Sequence, residues 1–509
     1  MRKSLRFISA LRASIATAIL LALAQPIAAA QHETLVHHAV STTNANAQRE
    51  FDIGLTLIYA FNPEEATFHF QEAARNDPRL AMAYWGIALA AGPNVNTKYD
   101  LRRAAIGRAA IGQAQRLRAS ATETRTIAAL AQRYTAQTDA QVPAAQLAYA
   151  QAMRALVRSD PAEIEVKVLA AESLMDLTPL DMWHGTQPNT YTREVIGLLN
   201  QALARNPDHV GANHYLIHTY EDAPDASAAL GAARHLAALD LPNGAEHLAH
   251  MPAHIFTRIG DFDAAIRASL RAIALFNGYL PSEHSDVHNG YLHHDYQVLG
   301  YAYAMSGQWA RARDNAITVA TQVNDSGAAV ETYLRFHKWG ELLGLTPPAR
   351  PGLRYRFARA LASAVSGDLV PARALMGTIE GAHDPEPRTG IARAQLAAAI
   401  AIAQRHPDVA ITELRHAVAL QDGLPNKEPP AWYYPIRETL GARLALAGKM
   451  QDAVVVFEDD LRRNPNNPRS LFGLSVALAR MDPRRAAQTT AAFRRAWSHA
   501  DTPLSLTDL

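Results

Sequence analysis

The chain has 509 residues, enough for two or three ordinary domains or one extended repeat array, and its 49% hydrophobic content excludes an extensively disordered protein. Its 49 basic and 48 acidic residues leave a formal net charge of +1, and no dense basic patch appears, which argues against a nucleic-acid partner. With no cysteine anywhere, disulfides, thiolate metal sites and lipid anchoring through cysteine are excluded.

At the N-terminus Arg2, Lys3, Arg6 and Arg12 precede the apolar run Ala13 to Ala24, then Pro26 and Ala28-Ala29-Ala30. That order of basic, apolar and small residues is a secretory signal peptide over residues 1–30, cleaved after Ala30. The run is too short for a comfortable membrane span, and nothing later reaches the roughly 18 apolar residues one needs. The expectation is a periplasmic or secreted protein with no membrane span after cleavage.

Residues 31–509 read as helical pairs. From Arg49 to Asp77 apolar residues recur at helical spacing, with Asn62 and Pro63 as cap and first-turn proline of a second helix. Gly54, Ala66, Phe70, Ala73 and Pro78 have the spacing of a tetratricopeptide repeat, in which small residues let two antiparallel helices pack closely. Val195, Leu199, Ala202 and Pro207 repeat it, as do Gly260, Ala265 and Ala272, and Gly300, Gly307, Ala312 and Ala316. Gly367 with Ala372, and Ala410, Leu414 and Ala417, are weaker copies. Gly441, Gly448, Ala453, Phe457 and Pro465 restore it in a C-terminal segment over 435–497, whose last unit runs through Leu471, Leu474, Leu478 and Ala487. The predicted fold is all-α, a right-handed superhelical solenoid of tetratricopeptide-like hairpins.

Three stretches break the helical rhythm and read as long connections: Thr178 to Thr192, Asn277 to Asn289, and Asp422 to Pro435. Trp85 and Met82 of an early unit read as groove lining or core.

Residues 209–294 hold 11 of the 21 histidines, about five times the density elsewhere. Small residues and prolines set the repeat register without reference to histidine. Pro207 then places His214, His218 and Glu221 at positions 5, 9 and 12 of one unit. Gly260 places His247, His250 and His254 at positions 2, 5 and 9 of the next histidine-bearing unit, and Gly300 with Gly307 places His294 at position 2 of a third. These positions advance by three or four residues and share one face of each first helix. Neighbouring helices pack about 8–10 Å apart, so their imidazoles can converge on a metal ion. His214/His218 and His250/His254 are both His-x-x-x-His pairs, but neither encloses the glutamate of a metalloprotease helix. His284, His288 and His293 fall off the stripe and read as solvated loop residues. Pro252, inside the second histidine helix, is expected to kink it or start it afresh.

The motifs His209-Val210-Gly211-Ala212-Asn213-His214-Tyr215 with Ile217, His218 and Glu221, and His247-Leu248 with His250, Met251, Pro252, His254, Ile255, Phe256, Arg258 and Gly260, resemble a group of exported bacterial tetratricopeptide-repeat proteins. Leu57 to Asn96 and Glu428 to Leu440 are similar to the same group. The resemblance implies the fold and a histidine stripe lining the concave groove, and supplies no reaction. Glu246 departs from it, standing where glycine is expected.

The resulting expectation is a transition-metal site, copper, zinc, iron or nickel, held by His214, His218, His250 and His254, with His247, His294 and Glu221 as ligands or immediate supports. Glu221 is the candidate general base. The site would serve metal-dependent oxidation or hydrolysis of a small molecule or peptide. The alternatives are a non-catalytic scaffold binding a peptide or a periplasmic protein in its groove, and a metal storage or delivery protein.

Overall fold

The computed structural model describes residues 35–278, 286–322, 327–380 and 387–509. Its helices begin with α1 (Ala45–Tyr59), α2 (Pro63–Asn76), α3 (Ala81–Ala90), α4 (Leu101–Ala114), α5 (Ala121–Arg133), α6 (Val142–Ser159) and α7 (Ile164–Met175). A two-stranded hairpin of β1 (Trp183–His184) and β2 (Gln187–Pro188) follows. The middle of the chain forms α8 (Thr192–Leu203), α9 (Val210–Tyr220), α10 (Leu230–Ala238), α11 (Glu246–Arg258), α12 (Phe262–Gly278), α13 (Asp286–Met305), α14 (Trp309–Gln322), α15 (Gly327–Arg335) and α16 (Trp339–Gly344). The remainder comprises α17 (Leu353–Val365), α18 (Leu369–Glu380), α19 (Arg388–Ala403), α20 (Pro407–Gln421), α21 (Ile436–Leu446), α22 (Met450–Arg463), α23 (Pro468–Leu478) and α24 (Pro483–Ala496). Most helix contacts join neighbours in the chain, so the fold is an all-α solenoid of helical hairpins, as the periodicity predicts.

Local chemistry explains the segmentation. Asn62 accepts a hydrogen bond from the Glu65 amide and caps α2, with Pro63 in its first turn. Ser120 and Glu123 form a reciprocal capping box at the start of α5. Within the hairpins, close approach is set by glycine against phenylalanine. A Cβ on Gly54 or Gly86 would lie within 3 Å of the Phe70 ring, and one on Gly441 or Gly473 would meet Phe457 in the same way. The first and last parts of the array are therefore built on one unit.

Two hydrophobic cores run along the array, one from Val36 to Ala312 and one from Val330 to Leu509. Trp85 and Met82 lie in the first, buried to 2% and 1% exposure. The array also folds back on itself. Gly260, at φ +75°, sits so close to the Pro465 carbonyl that a side chain there would collide with it, and Asn466 donates to the Ile259 carbonyl at 3.0 Å. Arg469 donates to the Ala304 carbonyl, and Arg335 pairs with Glu438 across 103 residues.

Of the three predicted connections, Thr178 to Thr192 contains the β-hairpin, and Asp422 to Pro435 crosses between α20 and α21 without forming a helix. Asn277 to Asn289 is shorter than predicted, because α12 continues to Gly278 and α13 starts at Asp286. His293 is consequently a half-buried helical residue and not a loop residue. His284 and the side chain of His288 lie outside the described residues, as does the signal segment 1–30. Pro252 neither restarts nor ends its helix, and α11 runs through it from Glu246 to Arg258. No helix among the described residues is long and apolar enough to cross a membrane.

Candidate metal centre

Three helices supply the imidazoles. His214 and His218 lie one turn apart on α9, while His247, His250 and His254 fall along one face of α11, and His294 projects from α13. The motif residues between them position the backbone. Gly211 lets α9 press against the Tyr59 ring, where a Cβ would come within 2.3 Å of a ring carbon. Asn213 ties its side-chain amide to the carbonyls of Pro207 and His209. His209 itself caps α9, accepting from the Ala212 amide on Nδ1 with Nε2 2.9 Å from Glu165, whose other oxygen accepts from the Tyr59 hydroxyl. It is thereby committed to structure. Arg258 donates to the Ala223 carbonyl at 2.8 Å, tying the end of α11 to the turn after α9.

The six imidazoles form two adjacent groups of three. In each group, His214/His218/His247 and His250/His254/His294, the candidate ligand atoms all lie within 4.8 Å of one another. His247 and His250 join the groups, their ring centres 6.2 Å apart. All but His294 are buried.

In the first group the Nδ1 of His214 lies 2.7 Å from the Tyr59 carbonyl oxygen, and the Nδ1 of His218 lies 3.0 Å from Glu221 Oε1. Their Nε2 atoms are buried without a hydrogen-bond partner, as are both ring nitrogens of His247. Phe61 and Tyr291 wall the group, with Phe61 stacked on His218 and His247 and Tyr291 stacked on His247 at 4.5 Å.

In the second group His250 Nδ1 lies 2.7 Å from Asp295 and His254 Nδ1 lies 3.2 Å from Glu428. Their Nε2 atoms face each other at 2.9 Å. Glu221 connects the groups, for its Oε2, buried and without a hydrogen bond, lies 3.8 Å from His254 Nε2. Glu428 arrives on the Asp422–Pro435 strap, which Lys427 anchors by pairing with Asp222 and donating to the Leu180 carbonyl.

Burial dominates the electrostatics. It holds His214, His218, His247 and His294 well below the ordinary imidazole value, and brings His250 and His254 down to about 4. It also raises the carboxylates of Glu221, Asp295 and Glu428. Such a cluster favours neutral rings that carry inward lone pairs.

All seven residues singled out in the sequence, the six histidines and Glu221, thus meet at one place. Sequence reasoning missed Asp295, Glu428, the Tyr59 carbonyl and Phe61. Asp295 directly follows His294 and Glu428 lies in a connection already marked as irregular, but nothing local pairs either with a particular imidazole. Glu246, the departure from the motif, is buried in the first turn of α11.

Fold and site define a helical-repeat protein with a buried polyhistidine centre. No family model matches the chain, and no curated protein matches it. Among solved structures, the P58(IPK) TPR domain is similar at 14% identity and a TM-score of 0.21, the match covering 88% of this chain and 99% of that one. The APC/C hetero-tetramer Cut9-Hcn1 is similar at 13% identity and a TM-score of 0.29, covering 90% and 95%. At those scores neither carries an argument about this chain, and the fold rests on its own helices.

Proposed function

We propose that this is an exported metalloprotein whose two histidine groups each hold a transition-metal ion. The observation that carries this reading is the facing pair of His250 and His254, with Nε2 atoms 2.9 Å apart and Nδ1 atoms turned to carboxylates. When the carboxylates are ionised and each ring keeps its proton on the Nδ1 that faces one, two Nε2 lone pairs oppose each other in a buried site, and a cation bound by both removes the repulsion. The first group supports the same reading, because the Nε2 atoms of His214 and His218 are unpartnered while a carbonyl and a carboxylate orient their Nδ1 atoms, as around metal-ligating histidines, and His247 adds two more unpartnered nitrogens. Neutral imidazoles suit copper, zinc, iron or nickel.

Three ligands per ion leave a fourth position for water, dioxygen or substrate. Glu221, reaching both groups, is placed to hold or take a proton there. This supports metal-dependent oxidation or hydrolysis of a small molecule or peptide over storage or delivery, since ligands this deeply buried exchange metal slowly. Metal analysis of protein purified without an affinity tag tests the reading. Two ions per chain are expected, with one lost in His250→Ala/His254→Ala and the other in His214→Ala/His218→Ala. Sub-stoichiometric metal in the wild type that neither pair of substitutions changes would sink it.

A second reading, a scaffold for a peptide or protein partner, draws on the helical-repeat architecture and on exposed apolar side chains of the C-terminal half, Val365, Val370 and Val409 among them. Partner capture that survives chelation and histidine substitution would favour it.

A further inference from the structure

Away from the histidines, the C-terminal half holds a half-open cavity of about 180 Å³ between α15, α17, α19 and α21. Its lining includes Trp339, Leu361, Ala399 and Ile402, and also Arg443 with Thr439 one turn earlier on α21. Much of the remaining polar lining is already engaged. Arg335 is held by both oxygens of Glu438, at 2.5 and 2.9 Å. Asp508 accepts from the amide and hydroxyl of Ser505, and Tyr434 donates to Gln395. Burial beside Arg469, Arg335 and Arg443 holds His337 down to about 4, leaving a neutral ring.

Arg443 differs from its neighbours. It has no ion pair or hydrogen bond among the described residues, and its Nε is buried without a partner. The Nε atoms of Arg335 and Arg469 are also buried without a partner, but their terminal nitrogens are engaged, Arg335 by Glu438 and Arg469 by the Ala304 carbonyl, and Arg437 is paired with Asp422 and Asp459. A guanidinium is a rigid fork that matches a carboxylate in two parallel hydrogen bonds, and half-buried Arg443, with its Nε shielded from solvent, makes neither within the chain.

We propose that this cavity is a ligand site for a small monocarboxylic acid, its carboxylate on Arg443 and Thr439 and its apolar body against Trp339, Leu361, Ala399 and Ile402. Size sets the class. An apolar cavity of about 150 Å³ accepts a benzene ring, so this one has room for a ring or a short branched chain. The site is separate from the histidine centre and does not depend on it.

Calorimetric titration of the full chain in the presence of a chelator tests this, with 3-phenylpropionate and its neutral amide as probes. The acid is expected to bind, and the amide at least about tenfold more weakly, because it lacks the charge that the guanidinium pairs with. Arg443→Gln should weaken the acid at least about tenfold and erase the preference over the amide. Ala399→Leu, which fills the apolar end and leaves Arg443 in place, should abolish binding of both probes while keeping the far-ultraviolet circular dichroism of the wild type. His250→Ala/His254→Ala should bind the acid as the wild type does. Equal affinity for acid and amide, undiminished binding in Arg443→Gln or Ala399→Leu, dependence on the histidine pair, or no saturable heat with the acid would each overturn the proposal.

Discussion

A ring nitrogen that faces a metal ion is only as well placed as the hydrogen bond on the other side of the ring. Here Glu221 accepts from His218, the Tyr59 carbonyl from His214 and Glu428 from His254, while Asp295 stands 2.7 Å from His250 Nδ1 as a charge partner. Each fixes a tautomer and, when its partner is a carboxylate, makes the imidazole a better donor to a cation. Glu428→Gln and Asp295→Asn keep the shape and remove the charge. Each is expected to weaken metal binding about 10- to 100-fold, measured by competition with a chromophoric chelator, with the helical circular dichroism unchanged. Wild-type affinity in both would show that the carboxylates serve packing alone. Phe61 carries a related constraint. It sits at φ +54°, a conformation that L residues adopt at a cost of about 1–2 kcal/mol, and its ring contacts His214, His218 and His247. Tight packing among the imidazoles offsets that strain.

Between elements, the glycine–phenylalanine contacts do most to define the repeat. Phe70 stands sixteen residues after Gly54 and sixteen before Gly86, and Phe457 stands likewise between Gly441 and Gly473. Phe457→Ala removes a fully buried ring and is expected to destabilise the fold by about 3–5 kcal/mol in urea denaturation. Gly473→Ala should also destabilise, since its Cβ would fall 2.1 Å from the ring. A neutral Gly473→Ala would mean that the ring moves aside without cost. This scale also explains what was legible in the sequence. Helix pairing and the shared face of His214, His218, His250 and His254 follow from offsets within one hairpin, where three- and four-residue spacing decides which side chains are neighbours. The start of α13 was harder to see, because it falls inside Asn277 to Asn289, where polar residues interrupt the helical rhythm. Glu428 and the Tyr59 carbonyl were invisible for a different reason. They reach His254 and His214 across 174 and 155 residues, and only the curvature of the array brings them there.

That curvature makes the centre a meeting point for the whole chain. Ligand candidates come from α9, α11 and α13, their supports from α1 and from the strap before α21, so a bound ion joins segments that otherwise pack through separate contacts. Amide exchange across Asp422 to Pro435 is expected to slow when metal is added, and to stay unchanged in Glu428→Gln if the strap responds through that carboxylate. The pH dependence belongs to the same scale. For the metal-free chain, burial holds His250 and His254 down to about 4, against roughly 6.5 for the unfolded residue. The unfolded state therefore binds more protons between those values, and the stability these two neutral rings contribute is complete above about 6.5 and lost as the pH falls towards 4. Glu221, Asp295 and Glu428 are raised by burial and act in the opposite sense. The folded state holds their protons longer, so their contribution is greatest below the unfolded carboxylate value near 4 and declines as the pH rises. The two effects offset each other in the metal-free protein. A cation reverses that balance, because it requires neutral imidazoles and is drawn to ionised carboxylates, and raising the pH favours both. The rise in Tm on adding metal should therefore persist from neutrality into the mildly acidic range and collapse as the pH falls through about 4, where the folded rings of His250 and His254 take up protons. An increment undiminished below that pH would place the metal on groups other than these imidazoles.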